Sequence, residues 1–165
     1  MAVDATLTSR IELPIDRATV FEFFSSAANL ALLTPRELHF RIRTPQPIVM
    51  AEGTLIDYTI RFWGVPLKWR SRIVRWNPPY EFVDDQLRGP YKSWVHTHRF
   101  IPIPGGTAIE DHVVYELRFG PFGRLAAAFV RRQLERLFAY RSQRIRSIFL
   151  ERHPPIDLSS VAIQK

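Results

Sequence analysis

The stretch that decides the fold is residues 121–152, PFGRLAAAFVRRQLERLFAYRSQRIRSIFLER. Turning about 100° per residue from Leu134, the side chains of Ala127, Val130, Leu134, Leu137, Phe138, Ile145, Ile148 and Phe149 fall on one face, the spacing of an amphipathic helix. Arg132, Glu135, Arg136, Gln143 and Arg146 fall on the opposite face, which suits water. Arg141 breaks the pattern. It sits inside the apolar stripe, where a guanidinium is costly unless it meets a partner.

The rest of the chain supplies what this helix must cover. Residues 5–13 alternate apolar and polar and read as a first strand, ended by Pro14. Asp16 is placed to cap a short helix running to Phe24, and a second helical piece, 27–33, stops at Thr34-Pro35 because a residue before proline leaves the helical region. From Leu38 the period becomes two. Residues 38–44, 53–63, 65–76, 80–88, 93–102 and 107–119 read as six strands separated by short Pro- and Gly-bearing connections, so sequence neighbours are expected to pair as antiparallel hairpins. The expected fold class is α+β: a strand, two short helices, a six-stranded antiparallel meander, and a long C-terminal helix on the concave face of the sheet. A helix about 45 Å long fills such a face. Residues 1–152 form one domain in this reading, and 153–165, which begin at His153-Pro-Pro155, are an irregular tail.

Composition narrows the function classes. The chain has 165 residues, no cysteine and 46% hydrophobic residues, enough for a single core without disulfides or thiolate metal sites. The acids Asp4, Glu12, Asp16 and Glu22 interrupt the first thirty residues, unlike a signal peptide, and no segment is long enough to span a bilayer, so the expected location is the cytoplasm. The formal charge of +7 permits anionic partners, and eight arginines lie between Arg124 and Arg152. Zinc-finger spacing, sustained heptads and an RNA-binding aromatic signature are all missing from the sequence, so nucleic acid is not the expected partner.

Several strings then carry a resemblance: Pro14-Ile-Asp16 leading to Val20-Phe21, Leu33-Thr-Pro35, Gly53-Thr-Leu-Ile-Asp-Tyr58, Phe82-Val-Asp-Asp-Gln86, Gly89-Pro90-Tyr91, Trp94-Val-His-Thr-His98-Arg-Phe100, Asp111-His-Val-Val-Tyr115 and Tyr140-Arg141. With the order of elements, they make the chain resemble the START-like or SRPBCC superfamily, the helix-grip fold of polyketide cyclases, lipid-transfer domains and the birch-pollen allergen. It is most similar to an uncharacterised bacterial ligand-binding subgroup. The resemblance covers almost the whole chain and implies a lipid-, polyketide- or quinone-like molecule held between helix and sheet. It transfers no catalytic motif and implies no cofactor.

The polar residues can be placed independently. If Gly105-Gly106 form a two-residue turn, residue n of one strand faces 211 minus n of the next, so His96 opposes Tyr115, His98 opposes Val113 and Phe100 opposes Asp111. Trp94, His96, His98 and Phe100 then share the inner face with Asp111, Val113 and Tyr115, and His98 lies diagonal to Asp111. For the preceding connection, a two-residue Gly89-Pro90 turn would send Gln86 outward. A loop of three or five residues would bring Phe82, Asp84 and Gln86 inside, and is favoured because it buries Phe82.

The expected ligand-binding set is therefore Arg141, His96, His98, Gln86, Asp84, Asp111, Tyr115, Trp94 and Tyr58, with Trp69 and Trp76 as further aromatic candidates. Three readings of it stand open. It is an internal ion-pair network, or it orients the polar end of a hydrophobic or aromatic ligand, or His96 or His98 with Asp111 acts as acid or base in a cyclisation or dehydration. A metal is not expected, because the alternation His96-x-His98 has no third histidine in reach. Ser71 or Ser93 with a histidine and Asp111 lacks the tight elbow of a hydrolase nucleophile. Finally, Phe122, Leu125 and Phe129, running into Arg132 and Arg136, form a candidate peripheral membrane or partner contact, or simply pack on the early helices.

Overall fold

A computed structural model describes residues 5–62, 64–118 and 123–152, with the side chains of 123–126 and 150–152 left out of the description. The elements are β1 (Ala5–Leu13), α1 (Arg17–Phe24), 3-10 turns at Ala27–Leu33 and Arg36–Leu38, β2 (Arg41–Ile42), β3 (Leu55–Phe62), β4 (Val65–Asn77), β5 (Glu81–Arg88), β6 (Ser93–Ile103), β7 (Gly106–Glu116) and α2 (Gly123–Arg152). One seven-stranded antiparallel sheet runs β1-β7-β6-β5-β4-β3-β2, so the meander is closed by the first strand lying against the last. With α2 across the inner face, this is the helix-grip α+β fold. The expected tail 153–165 lies outside the described residues.

The elements form for local reasons that the sequence states. Asp16 caps α1 by accepting from the Thr19 amide at 3.0 Å and the Thr19 hydroxyl at 2.6 Å. The α2 stripe is used as read: Leu134, Phe138, Ile145, Ile148 and Phe149 are buried, and Arg132, Glu135, Arg136, Gln143 and Arg146 are exposed. Two apolar clusters result. Ile11, Phe21, Phe24, Phe82, Phe100, Ile109, Ile145 and Phe149 belong to one, Trp69, Trp94, Val113, Tyr115, Leu134 and Phe138 to the other.

Two expectations need correction. The strand expected over 38–44 is only Arg41–Ile42, because the chain first makes the 3-10 turn Arg36–Leu38 and then a left-handed His39 (φ 43°), which breaks the extended run. The helical piece expected over 27–33 forms over those residues, as a 3-10 helix. The β6-β7 register is two residues away from the expected one, since the turn falls on Pro104-Gly105, with Gly105 at φ 78°, and Gly106 pairs with Ile103 inside the ladder. A slip of two preserves the face but changes the partners. His98 now lies opposite Asp111, His96 opposite Val113 and Trp94 opposite Tyr115.

Gly106 is required there by close approach. A Cβ at this position would meet the Leu13 carbonyl oxygen at 1.9 Å, whereas one at Gly105 would meet nothing within 4 Å. Gly106→Ala is therefore expected to cost about 1–3 kcal/mol by forcing β1 from β7, measurable by urea unfolding; a cost below that of Gly105→Ala would contradict this contact.

The β5-β6 connection follows the long-loop alternative. Asp84 pairs with His96 and Phe82 with His98, so Phe82 is buried as expected. Val74 is an extra residue in β4 between Ile73, paired with Asp84, and Arg75, paired with Val83; beyond it Trp76 pairs with Phe82 and packs on Phe21 at 5.3 Å. The outer face carries cross-strand ion pairs at directly opposed positions, among them Arg70 with Asp57 (2.7 and 2.8 Å), Arg72 with Asp85 and Arg10 with Glu110. Being exposed, each adds less than about 1 kcal/mol.

Candidate functional site

Charge enters the interior where the two apolar clusters meet. β5 contributes Asp84, β6 His96 and His98, β7 Asp111 and α2 Arg141. His96, His98 and Asp111 are 5%, 4% and 2% exposed, and the Arg141 side chain 12%. The four strand residues sit there because strand alternation sends every second residue inward, with Trp94 and Phe100 marking the same face of β6, and Arg141 descends from the apolar stripe of α2.

The contacts form a network around one oxygen. Asp111 Oδ1 lies 2.9 Å from His96 Nε2, 3.0 Å from His98 Nδ1 and 4.0 Å from an Arg141 terminal nitrogen. His98 Nε2 lies 3.1 Å from Asp84 Oδ1. His98 is thus held between two carboxylates, and only an imidazolium presents a proton to both. The Nδ1 contact is close, but its angle is not that of a hydrogen bond. Rings wall the group in: Phe82 stacks on His98 at 4.1 Å, His96 lies 3.7 Å from His98, and Phe138 lies 5.6 Å from His96.

Electrostatics divide the two histidines. Burial, then the neighbouring His98, holds His96 down to about 4, so it is neutral at physiological pH. Burial also opposes charge on His98, but contacts to Asp111 and Asp84 outweigh it and raise the group. For Asp111, burial is outweighed by the Arg141 charge and the two imidazoles, which hold the carboxyl well below its usual range. Asp84 is lowered too, its burial offset chiefly by His98. At neutral pH two carboxylates therefore balance two cations, His98 and Arg141.

Arg141 is the least satisfied member. Its Nε has no hydrogen-bond partner among the described residues, an Asp111 oxygen stands 4.0 Å from its terminal nitrogen, and its guanidinium lies 5.6 Å from the Phe24 ring and 5.9 Å from the Phe138 ring. Trp69 Nε1 is likewise buried without a partner among the described residues. Asp84, His96 and His98 bring donor atoms within 4.8 Å of one another, a set of types that a divalent cation accepts. In this structure those groups are partners to each other and to Asp111, and we read them as an ion-pair network.

The other expected residues are distributed as follows. Trp94 packs with Trp69 at 5.6 Å, Tyr91 at 4.8 Å and Tyr115 at 6.0 Å, and Tyr58 stacks on Trp69 at 5.7 Å. Tyr115 is buried, but it lies beside Trp94 and not opposite His96. Gln86 braces the β5-β6 loop, donating to the Tyr91 carbonyl at 2.9 Å and lying against Gly89. Tyr91, Phe24 and Phe138 were not singled out from sequence as site residues, although Phe138 precedes Arg141 by three on the same helix face. Of the candidate membrane contact, Phe122 and the Leu125 side chain lie outside the described residues, and Phe129 is 38% exposed. No helix among the described residues is long and apolar enough to cross a membrane.

No protein-family model matches this sequence, and no curated protein matches it. Solved structures do. The di-domain ARO/CYC StfQ from the steffimycin biosynthetic pathway is similar at a TM-score of 0.70 and 14% identity, covering 91% of this chain and 52% of that one. A protein from Rhodobacter sphaeroides gives 0.64 and 18%, covering 92% and 99%. The major latex-like protein 151 of Panax ginseng gives 0.59 and 12%, covering 89% and 98%. At these identities the likeness is one of fold, the helix-grip architecture described above.

Proposed function

We propose that the chain binds a hydrophobic or aromatic small molecule, lipid-, polyketide- or quinone-like, between α2 and the inner face of the sheet, with its polar head at Arg141 and His98. The carrying observation is Arg141: a guanidinium placed inside an apolar stripe and flanked by two phenyl rings, whose buried Nε has no hydrogen-bond partner among the described residues, is poised for a further acceptor. Asp84, His96 and Asp111 complete the polar end, and Trp94, Tyr115 and Tyr58 the aromatic end, while Gln86 shapes the adjoining loop. A surface depression of about 440 Å³ lies among charged and hydroxyl side chains such as Arg10, Thr97, Arg99 and Glu110 and does not suit an apolar body, whereas one of about 550 Å³ at the β2-β3 edge, between Arg43, Leu55, Lys68 and Arg88, reaches Tyr58 and Trp69. The interior rings touch one another at 4.8–6.0 Å, so the ligand body takes its place by separating this end of α2 from the sheet.

Titration with the neutral fluorophore N-phenyl-1-naphthylamine tests this reading. Saturable one-to-one binding with quenching of Trp69 and Trp94 is expected, weakened about tenfold or more in Leu134→Trp, whose larger ring takes the place the ligand body would open between α2 and the sheet. No saturation, or full affinity in folded Leu134→Trp, would remove an interior site.

A catalytic reading is favoured by one observation and narrows to one residue. His98 faces carboxylates with both nitrogens, whereas His96 meets one carboxylate, that of Asp111, through Nε2. A neutral imidazole oriented by a carboxylate is the form of a general base, here for a cyclisation or dehydration. Turnover of a polyketide-type substrate that is lost in folded His96→Gln would establish it.

A further inference from the structure

Resting on that ligand-binding reading, we propose that the head group is a monoanion of carboxylate or sulfonate type, that Arg141 anchors it, and that one proton enters with it and settles on His96.

The geometry of Arg141 argues for an anion. Its planar fork carries five N–H donors, and the matching acceptor is a group with two coplanar oxygens. Asp111 does not supply that match: its Oδ1 already faces His96 Nε2 at 2.9 Å and His98 Nδ1 at 3.0 Å, and stands 4.0 Å from Arg141. The rings of Phe24 and Phe138 beside the guanidinium are surfaces on which the body of an aromatic acid can pack.

Charge balance argues for the proton. Asp84 and Asp111 are offset by His98 and Arg141, so an incoming anion leaves one charge uncompensated in a desolvated space. The groups facing His96 are Asp84 opposite it on β5, Trp94 and His98 on its own strand, Asp111 from β7 and Phe138 from α2, with Arg141 of α2 reaching the same Asp111 oxygen. His96 is the uncharged titratable member of this set, kept so by burial and by the charge on His98. An anion beside Arg141 offsets that repulsion. By linkage, whatever the anion adds to the proton affinity of His96, the proton adds to the affinity for the anion.

The test compares two probes with the same aryl-naphthylamine body, 1-anilinonaphthalene-8-sulfonate and the neutral N-phenyl-1-naphthylamine, titrated between about pH 5 and 8 with circular dichroism reporting the fold. The sulfonate is expected to bind more tightly as pH falls, by up to about tenfold per unit, while the neutral probe stays flat. His96→Asn should flatten the sulfonate's acid-side dependence, and Arg141→Met should abolish its advantage while leaving the neutral probe bound. If Arg141→Met does not fold, the two probes on the unaltered protein decide alone. A sulfonate no tighter than the neutral probe overturns the anion assignment and leaves interior binding standing. A pH-independent advantage overturns the proton on His96. Failure of both probes to bind removes the binding reading itself.

Discussion

Asp111→Asn is expected to destabilise the fold by about 3–5 kcal/mol at neutral pH, although its shape is almost unchanged. The reason is charge. Asp111 is 2% exposed, its Oδ1 faces both imidazoles, and Arg141 is the next cation at 4.0 Å. Without its charge, His98 and Arg141 face Asp84 alone. His98 can escape by releasing its proton, so the penalty should shrink as pH rises. Arg141→Met should cost less than Asp111→Asn, because an apolar side chain suits the stripe and the guanidinium stands 4.0 Å from Asp111, although Asp84 and Asp111 are then left facing His98 alone. Urea unfolding at two pH values measures both. A cost below about 1 kcal/mol for Asp111→Asn would show that the network is not what holds these groups inside.

The second large effect is on pH dependence. His96 has its folded value lowered from 6.5 to about 4, so across that window the unfolded chain binds more protons and stability falls as pH falls, by on the order of 3 kcal/mol. His98 has its folded value raised above 6.5; its contribution is fully present below the unfolded value and is lost as pH rises through the folded one. Asp84 and Asp111, both lowered, add stability that is present above their ordinary value and lost as pH falls through the folded ones. The melting temperature should therefore trace a dome with its top near pH 6.5, and His96→Asn should flatten the limb between about 6.5 and 4. A melting temperature that rises steadily through this range and beyond would contradict the division between the two histidines.

Much of this arrangement is legible without coordinates because it is periodic. The α2 stripe, the exception at Arg141 and the inward alternation of Trp94, His96, His98 and Phe100 all follow from 3.6- and 2-residue repeats, which burial enforces strongly. Register is harder to read, because Pro104-Gly105 and Gly105-Gly106 are both sound turns; the chain uses the first, with Gly105 at φ 78° in the left-handed region that glycine accepts. That turn makes His98 and Asp111 direct partners where a diagonal pair was expected. Gln86 was placed on the inner face as expected, yet its amide turns to the loop, which depends on Tyr91 and Gly89 lying within reach. The division of proton affinity between His96 and His98 is invisible in sequence, since it depends on which nitrogen meets which carboxylate.

The central claim is that the interior polar cluster serves a bound molecule and not only itself. Native mass spectrometry of freshly purified protein, with no ligand added, tests it most directly. The account predicts a retained small molecule at one per chain, lost when the protein is unfolded and absent from folded Arg141→Met. The bare chain mass from every gentle preparation, unchanged after incubation with 1-anilinonaphthalene-8-sulfonate, would contradict it.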